Sequence, residues 1–328
     1  MADELFALKT NFYIGAHQAV ISEALTVSPS TDAVRIERDF FMYRAYVEQA
    51  QYHLVKDEVG ADAPASLQAV KLLATYLSSP RDAKETCLLQ LKEWLADANA
   101  ANNWHLQVIA ATVYCAEADY KSALGAIHQS SQLDCMALVA HIYLAMQRPD
   151  LAKKQLSLLQ EADDDATLTK LVAAWVALSE GSDKAQARPI PPRRSRPKPR
   201  PRASARPLPP LTASRARPPQ DALYEFQELG DRYSRTLLLL NGLAACHLQM
   251  GKFDEAERVL QEAMSKSATD PNTLANMAAT MHHLRKDAAA VNRAISQLRV
   301  AASDHPWLAK HAQLEADFDR CATQFGTA

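Results

Sequence analysis

Residues 240–264, LNGLAACHLQMGKFDEAERVLQEAM, restrict the fold more than any other stretch of the chain. Leu243, Ala244 and His247 fall on one helical stripe, Gly251 breaks the helix, aromatic Phe253 follows, and Ala256, Leu260 and Ala263 make a second stripe. Apolar residues returning every three or four positions mark amphipathic helices. Small residues where two such stripes meet let the helices of a hairpin approach closely, while the larger apolar positions fill the gap to the next hairpin. A unit of this kind cannot bury its apolar face alone, so it predicts neighbours of the same design.

Weaker copies are present upstream. FYIGAHQAVISEA turns at Gly15, YRAYVEQAQYHLV near Ala50, VYCAEADYKSALGAI near Ala118, and HIYLAMQRPDLAKKQL near Gln147. The steps between these turns are 35, 68 and 29 residues; the first two fit one and two periods of a 34-residue repeat and the third does not. The expected fold is therefore all-α, a tetratricopeptide-like solenoid of helical hairpins. TLTKLVAAWVALSEG reads as a first helix with Asp165 as its N-cap, its hairpin turn near Asp183, and DALYEFQEL as its second helix.

Composition divides the chain. Between residues 188 and 219 there are nine Arg, one Lys, eleven of the seventeen prolines and no acid. The formal net charge of −2 therefore leaves about −12 on the rest, which does not suit a nucleic-acid binder with a basic face. Proline removes backbone donors and clashes with preceding carbonyls, so this strip is expected to be a disordered, extended insert pushed out of a helical hairpin. Residues 1–186 and 221–328 are then two parts of one array, with 187–220 as the insert.

No catalytic or metal constellation stands out. Gly251-Lys252 lacks the flanking residues of a phosphate loop and reads as a repeat turn. His282 and His283 point different ways on a helix, and no carboxylate pair completes a metal site. The Asp163–Asp165 run precedes a helix, where carboxylates cap free N–H groups. The five cysteines are scattered and read as buried or half-buried thiols. The N-terminus, MADELFALKT, lacks the basic and apolar regions of a signal peptide, and the densest apolar segment, 168–178, is too short to span a bilayer, so a cytosolic protein is expected.

With the strip set aside, the order of segments resembles the epsilon subunit of coatomer, the coat of COPI vesicles. The resemblance rests on DELFALKTNFYIG, ERDFFMYRAY, LQAVKLLATYL and DLAKKQLSLLQEADDDATLTKLVAAWVAL in the first part. It continues through DALYEFQEL, LLLLNGLAACHLQMGKFDEAERVLQEA, DPNTLANMAA and HPWLAKHAQLEADFDR, so it covers nearly the whole chain apart from the strip. It implies a non-catalytic structural subunit without cofactor that holds the C-terminal region of the alpha-COP subunit. It also implies peripheral placement on the cytosolic side of Golgi and vesicle membranes, and traffic from Golgi to endoplasmic reticulum. The family pattern runs directly from GSDKAQ into DALYEFQEL, so the strip reads as a retained intron or a lineage-specific loop.

In such arrays the first helices line the concave face. The positions that point into it here are Arg44, Thr112, His141, Asn241 and Ala245, the expected partner-binding residues. A peptide-capturing adaptor of the chaperone type is the alternative, but it needs basic residues beside Asn241, where Ala245 and Leu248 stand. A third reading makes the basic strip a nucleic-acid or SH3-type ligand.

Overall fold

Six helix reversals share one backbone device. Gly15, Ala50, Ala118, Gln147, Gly251 and Arg285 all adopt left-handed φ values between 53° and 82°. In each case the next amide donates five residues back, as from Ala16 to the Asn11 carbonyl (2.8 Å), Asp119 to Tyr114 (2.9 Å) and Lys252 to His247 (2.9 Å). This closure satisfies the last carbonyls of one helix and points the chain into the next. The four turns expected upstream and the one at Gly251 lie at these residues. The sixth, at Arg285, follows Gly251 by one 34-residue period.

The computed structural model describes residues 3–97, 102–127, 130–186 and 218–326. Among them run seventeen α-helices and no strand. In order these are α1 (Phe6–Tyr13), α2 (His17–Ala24), α3 (Asp32–Glu48), α4 (Tyr52–Glu58), α5 (Ala65–Ser78) and α6 (Arg81–Ala96). Then come α7 (Trp104–Ala116), α8 (Tyr120–Ile127), α9 (Leu133–Ala145), α10 (Pro149–Asp163), α11 (Thr167–Gln186) and α12 (Pro218–Arg232). The last are α13 (Leu237–Gln249), α14 (Phe253–Lys266), α15 (Pro271–His283), α16 (Ala288–Ala301) and α17 (Pro306–Phe325). Consecutive pairs form antiparallel hairpins, and α17 ends the array.

Small residues sit where the helices cross, as the repeat pattern requires. Ala123, Ala152, Ala222, Ala244, Ala256 and Ala263 are all fully buried. Gly242 marks the closest approach: a Cβ there would lie 2.7 Å from the buried ring of Phe226 on α12. Side-chain caps start several helices, with Thr31 accepting from the Val34 amide and Asp270 from the Thr273 amide (2.8 Å).

Three local expectations are corrected. α11 runs unbroken through Gln186, so no turn falls near Asp183; the segment carries neither Gly nor Pro after Gly181, and nothing ends the helix there. The carboxylate that meets free amides just ahead of α11 is Asp163 rather than Asp165: its Oδ1 accepts the amides of Asp165 and Ala166 (both 3.1 Å). α12 begins at Pro218, so the last three residues of the expected 187–220 insert are helical. Proline has no amide to lose in a first turn and its fixed φ suits helix entry. The remaining insert, 187–217, lies outside the described residues.

The array curls back on itself. Ile14, at the end of α1, is fully buried with Leu171 of α11, Phe226 of α12 and Leu239 and Leu240 of α13. The Thr236 hydroxyl donates to the Ile14 carbonyl, and Tyr13 Oη donates to the Asp134 carboxylate on α9 (3.0 Å). The first hairpin therefore touches its neighbour α3 on one side and three distant hairpins on the other.

Two substitutions test this construction by urea unfolding. Gly251→Ala meets open space, so only the left-handed backbone penalises it, by about 1–2 kcal/mol. Gly242→Ala gains about 1 kcal/mol of helix propensity but forces Phe226 aside, with a strain of about 1–3 kcal/mol, so it should also destabilise.

Candidate partner-binding site

The curl encloses a concave cavity of about 540 Å³ between α1, α3, α7, α9, α11 and α13. Arg44, Thr112 and His141, expected from their repeat positions, all line it. Arg44 projects from α3 with its Cζ 4.5 Å from the centroid of the Phe12 ring and 5.3 Å from that of Phe40. The rings hold the guanidinium by cation–π attraction. Thr112 spends its hydroxyl on the Val108 carbonyl one turn back (2.8 Å). His141 on α9 meets Trp175 of α11 edge-on, with centroids 6.1 Å apart.

Asn241 and Ala245 are placed elsewhere. Asn241 Nδ2 donates to the Leu237 carbonyl (3.0 Å) and to Thr273 Oγ1 (3.0 Å), and its Oδ1 accepts from Asn276 Nδ2 (3.0 Å). Its amide therefore ties α13 to α15. Ala245 is half-buried on the same helix and does not line the cavity. The repeat-position rule fails for this pair because the ring closes between α1 and α13, leaving the last hairpins beyond the enclosed space.

Sequence reasoning missed Tyr13, Asp134, Trp175 and Leu238 as cavity residues. Trp175 carried a legible signal, an aromatic on a first helix otherwise built from small and aliphatic residues. Tyr13 and Leu238 did not, since their place depends on contact between segments more than two hundred residues apart.

The electrostatics are set mainly by burial. Asp134 is pushed up from the usual carboxylate range by burial, opposed by the Arg44 charge and the Tyr13 hydrogen bond. Tyr13 is raised well above an ordinary phenol by burial and by Asp134, so it keeps its proton and donates. Burial lowers His17 and His141, which leaves the two imidazoles of the cavity neutral. Behind the wall, His105 falls to about 3, first through burial and then through Arg44 and Lys9. It packs edge-on against Phe40 (4.4 Å) and lies 3.2 Å from the Ser66 hydroxyl.

The other sequence candidates resolve into structural roles. His283 stacks on Phe253 with centroids 4.4 Å apart, whereas His282 turns towards His311 (6.3 Å). Among the described residues, no group of three or more His, Cys, Asp or Glu side chains could hold a metal ion. Cys87, Cys135 and Cys246 are buried and Cys115 half-buried, but Cys321 is exposed on α17, contrary to expectation, because that helix buries none of its residues. No helix among the described residues is long and apolar enough to cross a membrane.

Buried neutral histidines predict acid sensitivity. A histidine whose folded pKa lies below its unfolded value stabilises the fold above about pH 6.5, and that stability is lost as pH falls. From pH 6.5 to 5, His105 alone costs about 2 kcal/mol, at about 1.4 kcal/mol per pH unit. Urea unfolding at pH 7 and pH 5 should show this loss in the wild-type chain and a shallower one in His105→Gln.

Comparison with known proteins gives the fold and family. A tetratricopeptide repeat protein from Parabacteroides merdae aligns with a TM-score of 0.52 over 88% of this chain and 94% of its own, at 13% identity. The anaphase-promoting complex hetero-tetramer Cut9–Hcn1 aligns at 0.55 over 92% of this chain and 53% of that chain, at 12% identity. These show the helical-repeat fold alone. In sequence, coatomer subunit epsilon-1 of Arabidopsis thaliana is 36% identical over 323 residues, covering 98% of this chain and 97% of that protein. Coatomer subunit epsilon of Dictyostelium discoideum is 30% identical over 330 residues, covering 98% and 99%. The sequence model of the coatomer epsilon subunit matches residues 1–188 and 212–326, pausing only inside the Pro/Arg strip. With the helical-repeat curl already in place, that end-to-end match shows that the chain belongs to the coatomer epsilon subunit family.

Proposed function

We propose that this COPI coatomer component acts as a non-catalytic structural subunit whose concave cavity receives the C-terminal region of alpha-COP. The observation that carries the reading is the cavity itself: 540 Å³, opened towards solvent and walled by Phe12, Tyr13, Val108, Leu138, Trp175 and Leu238. A concave, largely apolar wall with a few polar groups suits a protein segment inserted from another subunit. Arg44 and Asp134 supply the polar contacts that orient it. The subunit works at the cytosolic face of Golgi and vesicle membranes through the assembled coat, in retrograde and intra-Golgi transport.

The chaperone-type adaptor has less support. Its clamp needs a free asparagine amide on a first helix, and Asn241 spends its amide within the fold.

Binding a partner to the folded state adds stability by mass action. Co-expression with the alpha-COP C-terminal region should give a complex on gel filtration and a higher Tm. Thr112→Trp, which fills the cavity from a half-buried position, should abolish the complex while the free chain stays folded. Ala245→Arg, outside the cavity, should leave it intact. A complex unaffected by Thr112→Trp would sink the cavity assignment.

We also propose that the strip is dispensable. The family match pauses from 189 to 211, and α11 and α12 pack as a hairpin on either side. Loop closure entropy grows only logarithmically with length, about 0.6 kcal/mol per doubling, so removing a long connection changes little. Deleting residues 189–211 should leave Tm and complex formation unchanged. It should sharply reduce salt-sensitive retention on heparin, since it removes seven cations from a stretch without an acid, and such a stretch collects polyanions.

A further inference from the structure

α6 packs differently from the two first helices that flank it, α5 and α7. α5 buries Leu67, Val70, Leu73 and Tyr76 among others, and α7 buries Leu106, Ile109, Val113 and Tyr114. On α6 the buried side chains among those described are Cys87 and Leu91 alone, while Leu89 is 61% exposed and Leu88, Trp94 and Leu95 are half-buried. α7 packs on α5 across the repeat, which leaves α6 outside the usual contact between a second helix and the next hairpin.

Cavities surround the helix on three sides. One of about 790 Å³ lies between its first half, the ends of α5 and α7 and the connection before α17, reaching Lys84, Leu88, Tyr76, Glu117 and Asp304. A second, about 280 Å³, separates Trp94 from Gln68 and Leu106. A third, about 680 Å³, lies between Leu95 and the α8 residues Ser122, Gly125 and Ala126. All three are open to water, so the α6 side chains that line them face solvent there rather than a packed neighbour. Among the described residues, the polar ties of α6 include Lys84 Nζ, 4.7 Å from the centroid of the Tyr76 ring, and Pro80 gives the helix no side-chain cap.

We propose that α6 is a flap that opens as a unit while α5 and α7 stay folded. An element with few buried apolar contacts opens at a free energy below that of global unfolding. Opening releases Leu91 and Cys87 and joins the three cavities into one cleft over Tyr76, Leu106 and Tyr114. The array thereby has one place where its curvature can change without unfolding a neighbouring hairpin.

The cysteines provide an internal ruler. Hydrogen exchange on the full-length chain should show amides 83–96 exchanging at least about ten-fold faster than those of α5 and α7. Native-state labelling should modify Cys87 at least about ten-fold faster than fully buried Cys135 and Cys246. Leu91→Ala, or Leu88→Ala should the first variant not fold, should accelerate labelling at Cys87 alone. The proposal is overturned if α6 exchanges in step with α5 and α7, or if the variant accelerates Cys87, Cys135 and Cys246 equally. Amide exchange is independent of thiol acidity, so the burial that raises Cys135 to about 11 and Cys246 to about 12 cannot produce the first result.

Discussion

The enclosed cavity exists because Ile14 is buried. An open solenoid would leave that side chain at the end of its first hairpin facing water. Here it is fully buried among α11, α12 and α13, where removal of such a side chain from water is worth about 2 kcal/mol. Two polar contacts fix the geometry of that closure: the Thr236 hydroxyl on the Ile14 carbonyl and Tyr13 on Asp134. Tyr13 and Asp134 also line the cavity, so the residues that shut the ring face whatever enters it. In the proposed reading, the side chains that close the ring also receive the partner.

The hairpins were legible in the sequence to the extent that their turns announced themselves. Gly15 and Gly251 did so as glycines in left-handed backbone; Ala50 and Ala118 did so through spacing, and Gln147, off the 34-residue period, only through the apolar stripe that follows it. The turn at Arg285 was not read, since an arginine tolerates that conformation at a cost and carries no turn signature. Within the site, Arg44, Thr112 and His141 followed from repeat positions, because first helices α3, α7 and α9 lie inside the curl. Asn241 and Ala245 obeyed the same local rule and lie outside it. What separates the two groups is the long-range contact at Ile14 and Gly15, which no periodicity encodes.

The body of the chain and its strip obey different physics. The body carries about −12 and pairs charges between its segments, as in Lys9–Glu37 and Arg235–Glu262, while the Asp134 carboxylate is held by a tyrosine and the cavity imidazoles are kept neutral by burial. The strip carries +10 with eleven prolines, and the family match stops within it. Interruption of a hairpin at its connection leaves both apolar stripes whole. That explains how a coatomer epsilon family member accommodates it without loss of the repeat.

The central claim is that the concave cavity, rather than the outer face, holds another coat subunit. Photo-crosslinking from a reactive residue placed at Thr112, in fully assembled coatomer and with the products identified by mass spectrometry, tests it most directly. The account expects adducts within the alpha-COP C-terminal region from position 112, and few or none from position 245. Efficient crosslinks from position 245 with none from position 112 would contradict it.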